Sequence, residues 1–453
     1  MADGYLKTNG VRNQRMKCNG RMKNEQLLTA KAKRDNWIGV GILGMMFFTF
    51  GFVSWVNAIL IPYFKIACEL TNFQSYLVAF AFYISYLLMS MPSSYLLKVV
   101  GYKRGIVIGF WIMAAGALLF VPAAYGRTYP VFLLGLFTLG TGLAILQTVA
   151  NLYVTLIGDR ERAAQRISIM GICNKGAGIL APLVFSWAVF RASDQELFLQ
   201  IPLLEDVQRG IVLDELILRV VAPYSVLAML LFLIGVCIWF SPLPEISQKT
   251  EDQREKRTSL WQFPHLVLGA IAIFLHVGTQ VIAIDTVINY AGAMGLSLLE
   301  AKALPSYTLS ATIMGYLFGI FLIPRFVKQK LMLRLCSLLG LTFSLLVCLT
   351  NVPVYLAGMN LDSSIWFLIA IGLPNALIWA GIWPLALDGL GDLAKQGSAL
   401  LIMGLSGNAI IPMLYGWMAD VSSERNAYWV LVPCFAYIVF YAFWGHRYRT
   451  WST

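Results

Sequence analysis

Gln147 and Asn151 stand four residues apart in an otherwise apolar run, GLAILQTVAN at 142–151. Residues one helical turn apart share a face. A side-chain amide donates and accepts hydrogen bonds at once, which suits a ligand built from vicinal hydroxyls. Six more amides sit inside apolar runs: Asn57, Asn174, Gln280, Asn289, Asn375 and Asn408. An interhelical hydrogen bond accounts for any single one, but not readily for four in each half of the chain. Trp55, Tyr83, Tyr290, Trp379 and Trp383 lie near them in sequence. Their rings suit the C–H face of a pyranose, or equally a packed core. Amides and aromatics with few charges point to a neutral polyol or sugar rather than a phosphate, a peptide or a cation.

Three ionisable residues occupy apolar runs of their own: Lys175, His276 and Asp285. Ionisable side chains inside a membrane face the bundle interior and mark function more often than chance. Two readings stand side by side. Lys175 ties the halves together through a salt bridge, with Asp285 as the candidate partner, or the group is a proton site or gate.

The elements that must hold these residues are membrane helices. The chain has 453 residues, 58% hydrophobic and 13% charged, with a mean hydropathy of +0.71. That is about half the charge of a soluble domain. Runs of about 20 apolar residues mark spans, and twelve are predicted: 37–64, 74–97, 105–124, 131–157, 166–190, 219–241, 264–290, 303–323, 332–350, 364–387, 396–418 and 427–445. Such long continuous runs exclude a β-barrel. Lysines and arginines gather in alternate loops, as at Lys98, Lys103 and Arg104 and again at Arg325, Lys328 and Lys330, whereas 191–218 is acidic. The positive-inside rule then places both termini in the cytoplasm.

The organisation that follows is a basic tail (1–36), a six-helix half (37–241), a charged cytoplasmic linker (242–263) and a second six-helix half (264–453). Tyr86 precedes Lys98 by twelve residues, and Tyr316 precedes Lys328 by twelve, which fits two parallel repeats. The net charge of +11 reads as a topology signal, with no nucleic-acid motif. Seven scattered cysteines and three histidines show no metal-ligand spacing, so no metal or other cofactor is expected. No span pairs a nucleophile with a base, which argues against an enzyme.

Four segments carry a resemblance: FFTFGFVSWVNAILIPYFK (47–65), CELTNFQSYLVAFAFYISYLL (68–88), GTGLAILQTVANLYVTLIG (140–158) and QRISIMGICNKGAGILAPL (165–183). VIAIDTVINY (281–290) and IWPLAL (382–387) agree with them. The chain resembles the fucose–galactose–glucose:proton symporters of the major facilitator superfamily, and among them bacterial glucose/galactose transporters. The resemblance implies an all-α fold of twelve transmembrane helices in two pseudo-symmetric halves, in a bacterial inner membrane. It implies a monomer that carries a hexose by alternating access about a central site.

Asn174 matches the sugar-binding asparagine of the family's fifth helix. Ala58 and Gln147 stand where its first and fourth helices carry acids, Leu152 where a proline follows the fourth-helix asparagine, Gln280 where relatives have Glu, and Asn408 where they have Gly. The expected sugar site is Asn57, Gln147, Asn151 and Asn174 facing Gln280, Asn289 and Asn375, with Trp383 or Trp379 stacking. Proton coupling then requires Asp285, Lys175 or His276; otherwise the chain is a uniporter or uses another ion such as sodium. A carrier of amino sugars or another polar metabolite, and a non-transporting sugar sensor, are the alternative functions.

Overall fold

Apolar stretches surrounded by lipid have no water to satisfy their backbones, so they close their hydrogen bonds internally as helices. The computed structural model describes residues 41–156, 163–191, 193–241, 260–323, 326–356, 358–390 and 393–451. The predicted tail and most of the predicted linker lie outside the described residues. The long helices are α1 (Gly41–Ala67), α2 (Asn72–Val100), α3 (Tyr102–Tyr125), α4 (Tyr129–Leu156), α5 (Ala163–Val189) and α6 (Asp206–Phe240). They continue with α7 (Pro264–Asp285, extended by Val287–Ala293), α8 (Leu298–Leu322), α9 (Gln329–Leu349), α10 (Ser363–Leu387), α11 (Gln396–Val421) and α12 (Glu424–Arg447). Among the described residues, eleven helices are long and apolar enough to cross a membrane. The remaining one, α2, runs 29 residues, about 43 Å of helix, at the position of the second predicted span.

Several predicted spans are not continuous. The seventh breaks directly after Asp285, where the Thr286 hydroxyl turns back to the Ile282 carbonyl and shares a 2.6 Å hydrogen bond with Tyr428. The eleventh passes through a 3-10 turn at Gly404–Ser406. The sixth starts at Asp206, not at 219, so part of the predicted acidic loop is helical. Buried Asp194 anchors that segment by a 2.7 Å ion pair to Arg219. A short hairpin of β1 (Pro353–Leu356) and β2 (Met359–Asp362) joins α9 to α10, with Val354 opposite Leu361.

The halves meet mainly along two seams, α2 against α11 and α8 against α5. Each is the counterpart of the other when the halves are exchanged, as expected of two parallel repeats. Glycines set the closest helix crossings. A Cβ on Gly51 of α1 would lie 1.9 Å from the Asn174 carbonyl of α5, and one on Gly407 of α11 would lie 1.8 Å from the Phe274 carbonyl of α7. Both crossings border the predicted site.

Candidate functional site

The hydrogen bonds that bridge the halves gather towards the end of the bundle opposite the basic loops. Thr71 caps α2 by accepting from the Gln74 amide, and the Gln74 side chain returns the bond. Two helix-end N–H groups remain, those of Asn72 and Phe73. Asp420, at the end of α11, accepts both, at 2.9 and 2.7 Å. Beside it Glu424 pairs with Lys65 at 3.7 Å and accepts from Asn72. Tyr76 stacks edge-on against Tyr415 and receives a 3.2 Å hydrogen bond from Asn289. On the other seam Ser306 donates to the Ile179 carbonyl at 2.8 Å. A carboxylate at a helix N-terminus meets both free donors and the positive end of the helix dipole. This end of the molecule is shut.

Deeper in the bundle the predicted polar residues divide into partnered and unpartnered groups. Asn174 accepts from the Trp55 indole at 3.4 Å and donates to the Phe47 carbonyl at 3.3 Å, which fixes α1 against α5. Asn57 and Asn375, one from each half, are buried, and neither amide atom of either has a hydrogen-bond partner among the described residues. Asn408 leaves its oxygen unmatched in the same way. Gln147 and Gln280 are half-buried. Gln147 lies within about 20° of Gly140 around α4, and Gly140 is pressed against Phe82 and Ser85 of α2. Gln147 therefore faces away from α3, which meets α4 through Gly135, Leu139 and Gly142. The side chain of Asn151 lies outside the described residues. Trp379 and Trp383 are half-buried and stack on each other, 5.1 Å between centroids.

The charged residues do not pair as one of the two sequence readings expects. No ion pair within 4 Å joins Lys175 to Asp285 among the described residues. The Lys175 ammonium instead stands 4.1 Å from the centroid of the Trp55 ring. Away from water a cation–π contact of this kind is worth about 2 kcal/mol. Asp285 is fully buried, and neither carboxylate oxygen has a hydrogen-bond partner among the described residues. Lys175 lies within electrostatic reach of both Asp285 and His276, whose Nδ1 is likewise unpartnered.

Room for the Trp55 ring comes from Gly178, where a Cβ would lie 2.4 Å from the indole Cδ1. Gly178→Ala should displace that ring and lower the melting temperature, an overpacking cost of roughly 1–3 kcal/mol. An unchanged melting curve would show that the ring has space to spare.

Sequence reasoning missed the clasp at Asp420 and Glu424. One signal was available: Asp420 stands in the last turn of its own helix, where a carboxylate meets the negative end of the dipole. An acid so placed needs a partner elsewhere.

Two interlocked sets of helices with a polar band between them form a fold of known type. Residues 43–412 match the model of the Major Facilitator Superfamily. The chain belongs to the major facilitator superfamily. Among relatives of this facilitator, the glucose/galactose transporter of Brucella abortus is 32% identical over 429 residues, covering 94% of this chain and 98% of the relative. The L-fucose–proton symporter of Escherichia coli is 28% identical, covering 91% and 94%. The crystal structure of the superfamily transporter FucP in the outward conformation superposes with a TM-score of 0.67 at 26% identity, over 90% of this chain and 98% of that one. The facilitator is thus a multi-pass membrane protein.

Proposed function

We propose that this facilitator carries a neutral monosaccharide of the glucose/galactose type across a bacterial inner membrane by alternating access. The observation that carries the reading is the pair of buried amides, Asn57 and Asn375, that use none of their hydrogen-bonding capacity on the protein. Burying a polar group without a partner costs free energy. A sugar's hydroxyls would repay that cost from both halves at once. Gln147, Asn151 and Gln280 extend the same chemistry, while Asn174 holds Trp55 and Asn289 holds Tyr76 as well as facing substrate. The stacked Trp379 and Trp383 offer a flat wall for the sugar ring. The names of the Brucella and Escherichia relatives support a hexose over a phosphate or a peptide.

The basic loops lie on the cytoplasmic side in this reading, so the shut end faces outward. Sugar then enters when the Asp420 clasp opens and leaves on the cytoplasmic side. The test is counterflow of radiolabelled glucose, galactose and fucose in proteoliposomes. Gln147→Ala should abolish exchange of the preferred sugar. Unchanged affinity and rate in that variant would overturn the site assignment, and no exchange of any hexose by the unaltered protein would overturn the substrate class.

A further inference from the structure

We infer that Asp285 is the proton-carrying group of this carrier and that Lys175 is its alternating partner, unpaired with it while the outer end is shut and paired with it when that end opens. The inference rests on the carrier reading above and deepens it. Lys175 on α5 and its perch Trp55 on α1 belong to the same half, so the lysine keeps a partner wherever that half moves. Asp285 on α7 belongs to the other half and has no hydrogen-bond partner in this conformation among the described residues. An ionised carboxylate buried without a partner inside a bilayer is costly. A bound proton removes that charge. The alternative is a salt bridge to Lys175, and rocking of one half against the other changes the distance between these two residues.

The cycle that results is a symport. In the outward-open form Asp285 is ionised and paired with Lys175. A proton from outside converts the carboxylate to the acid, breaks the pair and lets the outer end shut, with the lysine falling back on Trp55. Release of the proton on the cytoplasmic side regenerates the carboxylate, which pulls the halves back towards the paired form. The proton-bound form and the shut outer end are therefore linked: acid favours this conformation and rising pH favours opening.

The titratable groups that surround Asp285 are few. Lys175 on α5 and Tyr76 and Tyr83 on α2 lie within electrostatic reach of it, while His276, on its own helix, lies within reach of Lys175. Of the other helices packed against α7, α1 brings Tyr63 and Lys65 and α8 brings Tyr316, while α11 brings Tyr415 with the clasp's Asp420, α12 brings Tyr428 with the clasp's Glu424, and α10 brings none. Phenols and solvated lysines titrate far above neutrality. Inside the bundle, away from the clasp acids, that leaves Asp285, Lys175 and His276 as the ionisable groups in reach of one another.

The test uses no sugar, so its outcome is separate from the substrate question. Spin labels replace Tyr125 and Ser422, exposed on opposite halves at the shut end, in a background whose native cysteines are replaced by alanine. Distances are then measured by pulsed electron paramagnetic resonance from pH 5 to pH 9. The open population should rise with pH, by up to about tenfold per unit for one linked proton. Asp285→Asn should hold the short distance at every pH, Asp285→Glu should restore the dependence, and Lys175→Met should remove the opening at high pH. The proposal is overturned if the parent protein shows no pH dependence, if Asp285→Asn titrates like the parent, or if His276→Gln alone abolishes the effect. Failure of hexose counterflow alongside a positive result here would refute the sugar and leave the proton device standing.

Discussion

Asp420→Ala should unlatch the outer end, shifting the equilibrium between shut and open forms by about 5- to 30-fold towards open. Asp420 joins the halves by accepting from the first two amides of α2, at 2.9 and 2.7 Å. Losing a cap of this kind costs about 1–2 kcal/mol, and that difference is a factor of 5–30 in an equilibrium constant. Water can reach the freed amides, because Thr71 and Phe73 are exposed and Asn72 only half-buried, so the cost stays within this range and the helix remains folded. The Tyr125–Ser422 label pair reports the change directly as a larger long-distance population. Asp420→Asn should fall between the parent and alanine, since an amide oxygen still accepts one bond but brings no charge to the dipole. An outer end that stays shut in Asp420→Ala would place the latch elsewhere, in the Tyr76–Asn289 contact or at the α5–α8 seam.

The contrast between what the chain displays and what only the fold reveals is plain at these same residues. The spans were legible because lipid demands long apolar runs, and the basic loops fixed alternate ends. The amides of the proposed site were legible too, because any polar group in such a run stands out. Their division into partnered and unpartnered was not. Asn57 and Asn174 look alike in sequence, yet one binds Trp55 and the Phe47 carbonyl while the other touches no polar partner among the described residues. That difference depends on how closely α1 and α5 cross at Gly51, a tertiary fact. The Asp420 clasp joins residues 348 apart, beyond any local pattern. The break after Asp285 likewise depends on Tyr428, supplied by α12 to the Thr286 hydroxyl. The seventh span's hydropathy gives no hint of it.

Lys175 and Asp285 show the same limit from the other direction. Two opposite charges in one membrane invite the inference of a salt bridge, and this conformation does not form it. Trp55 takes the cation instead. A carrier that must pass between two conformations gains from pairs that each exist in only one of them. A bond that persisted in both would bias neither.

Asn375→Leu should make the protein more stable and stop it carrying sugar, and the opposed signs are what separate a ligand site from a packing device. Asn375 is 1% exposed, and neither its nitrogen nor its oxygen is hydrogen-bonded among the described residues. A buried amide left unsatisfied costs about 1–3 kcal/mol, and replacing it with an apolar side chain of similar size recovers that penalty. The melting temperature of the sugar-free protein should therefore rise by a few degrees. Transport moves the other way, because leucine can neither donate to nor accept from a hydroxyl. Each lost hydrogen bond to a neutral partner removes about 0.5–1.5 kcal/mol, so two lost together weaken binding by about 5- to 160-fold. Added sugar should raise the melting temperature of the parent protein and leave that of the variant unmoved. Were Asn375 a structural tie between helices, the variant would melt earlier and exchange sugar normally. Asn57→Leu, on the opposite half, should repeat the pattern, since in the proposed site an amide on each side of the bundle would let one sugar hold both halves together as they close around it.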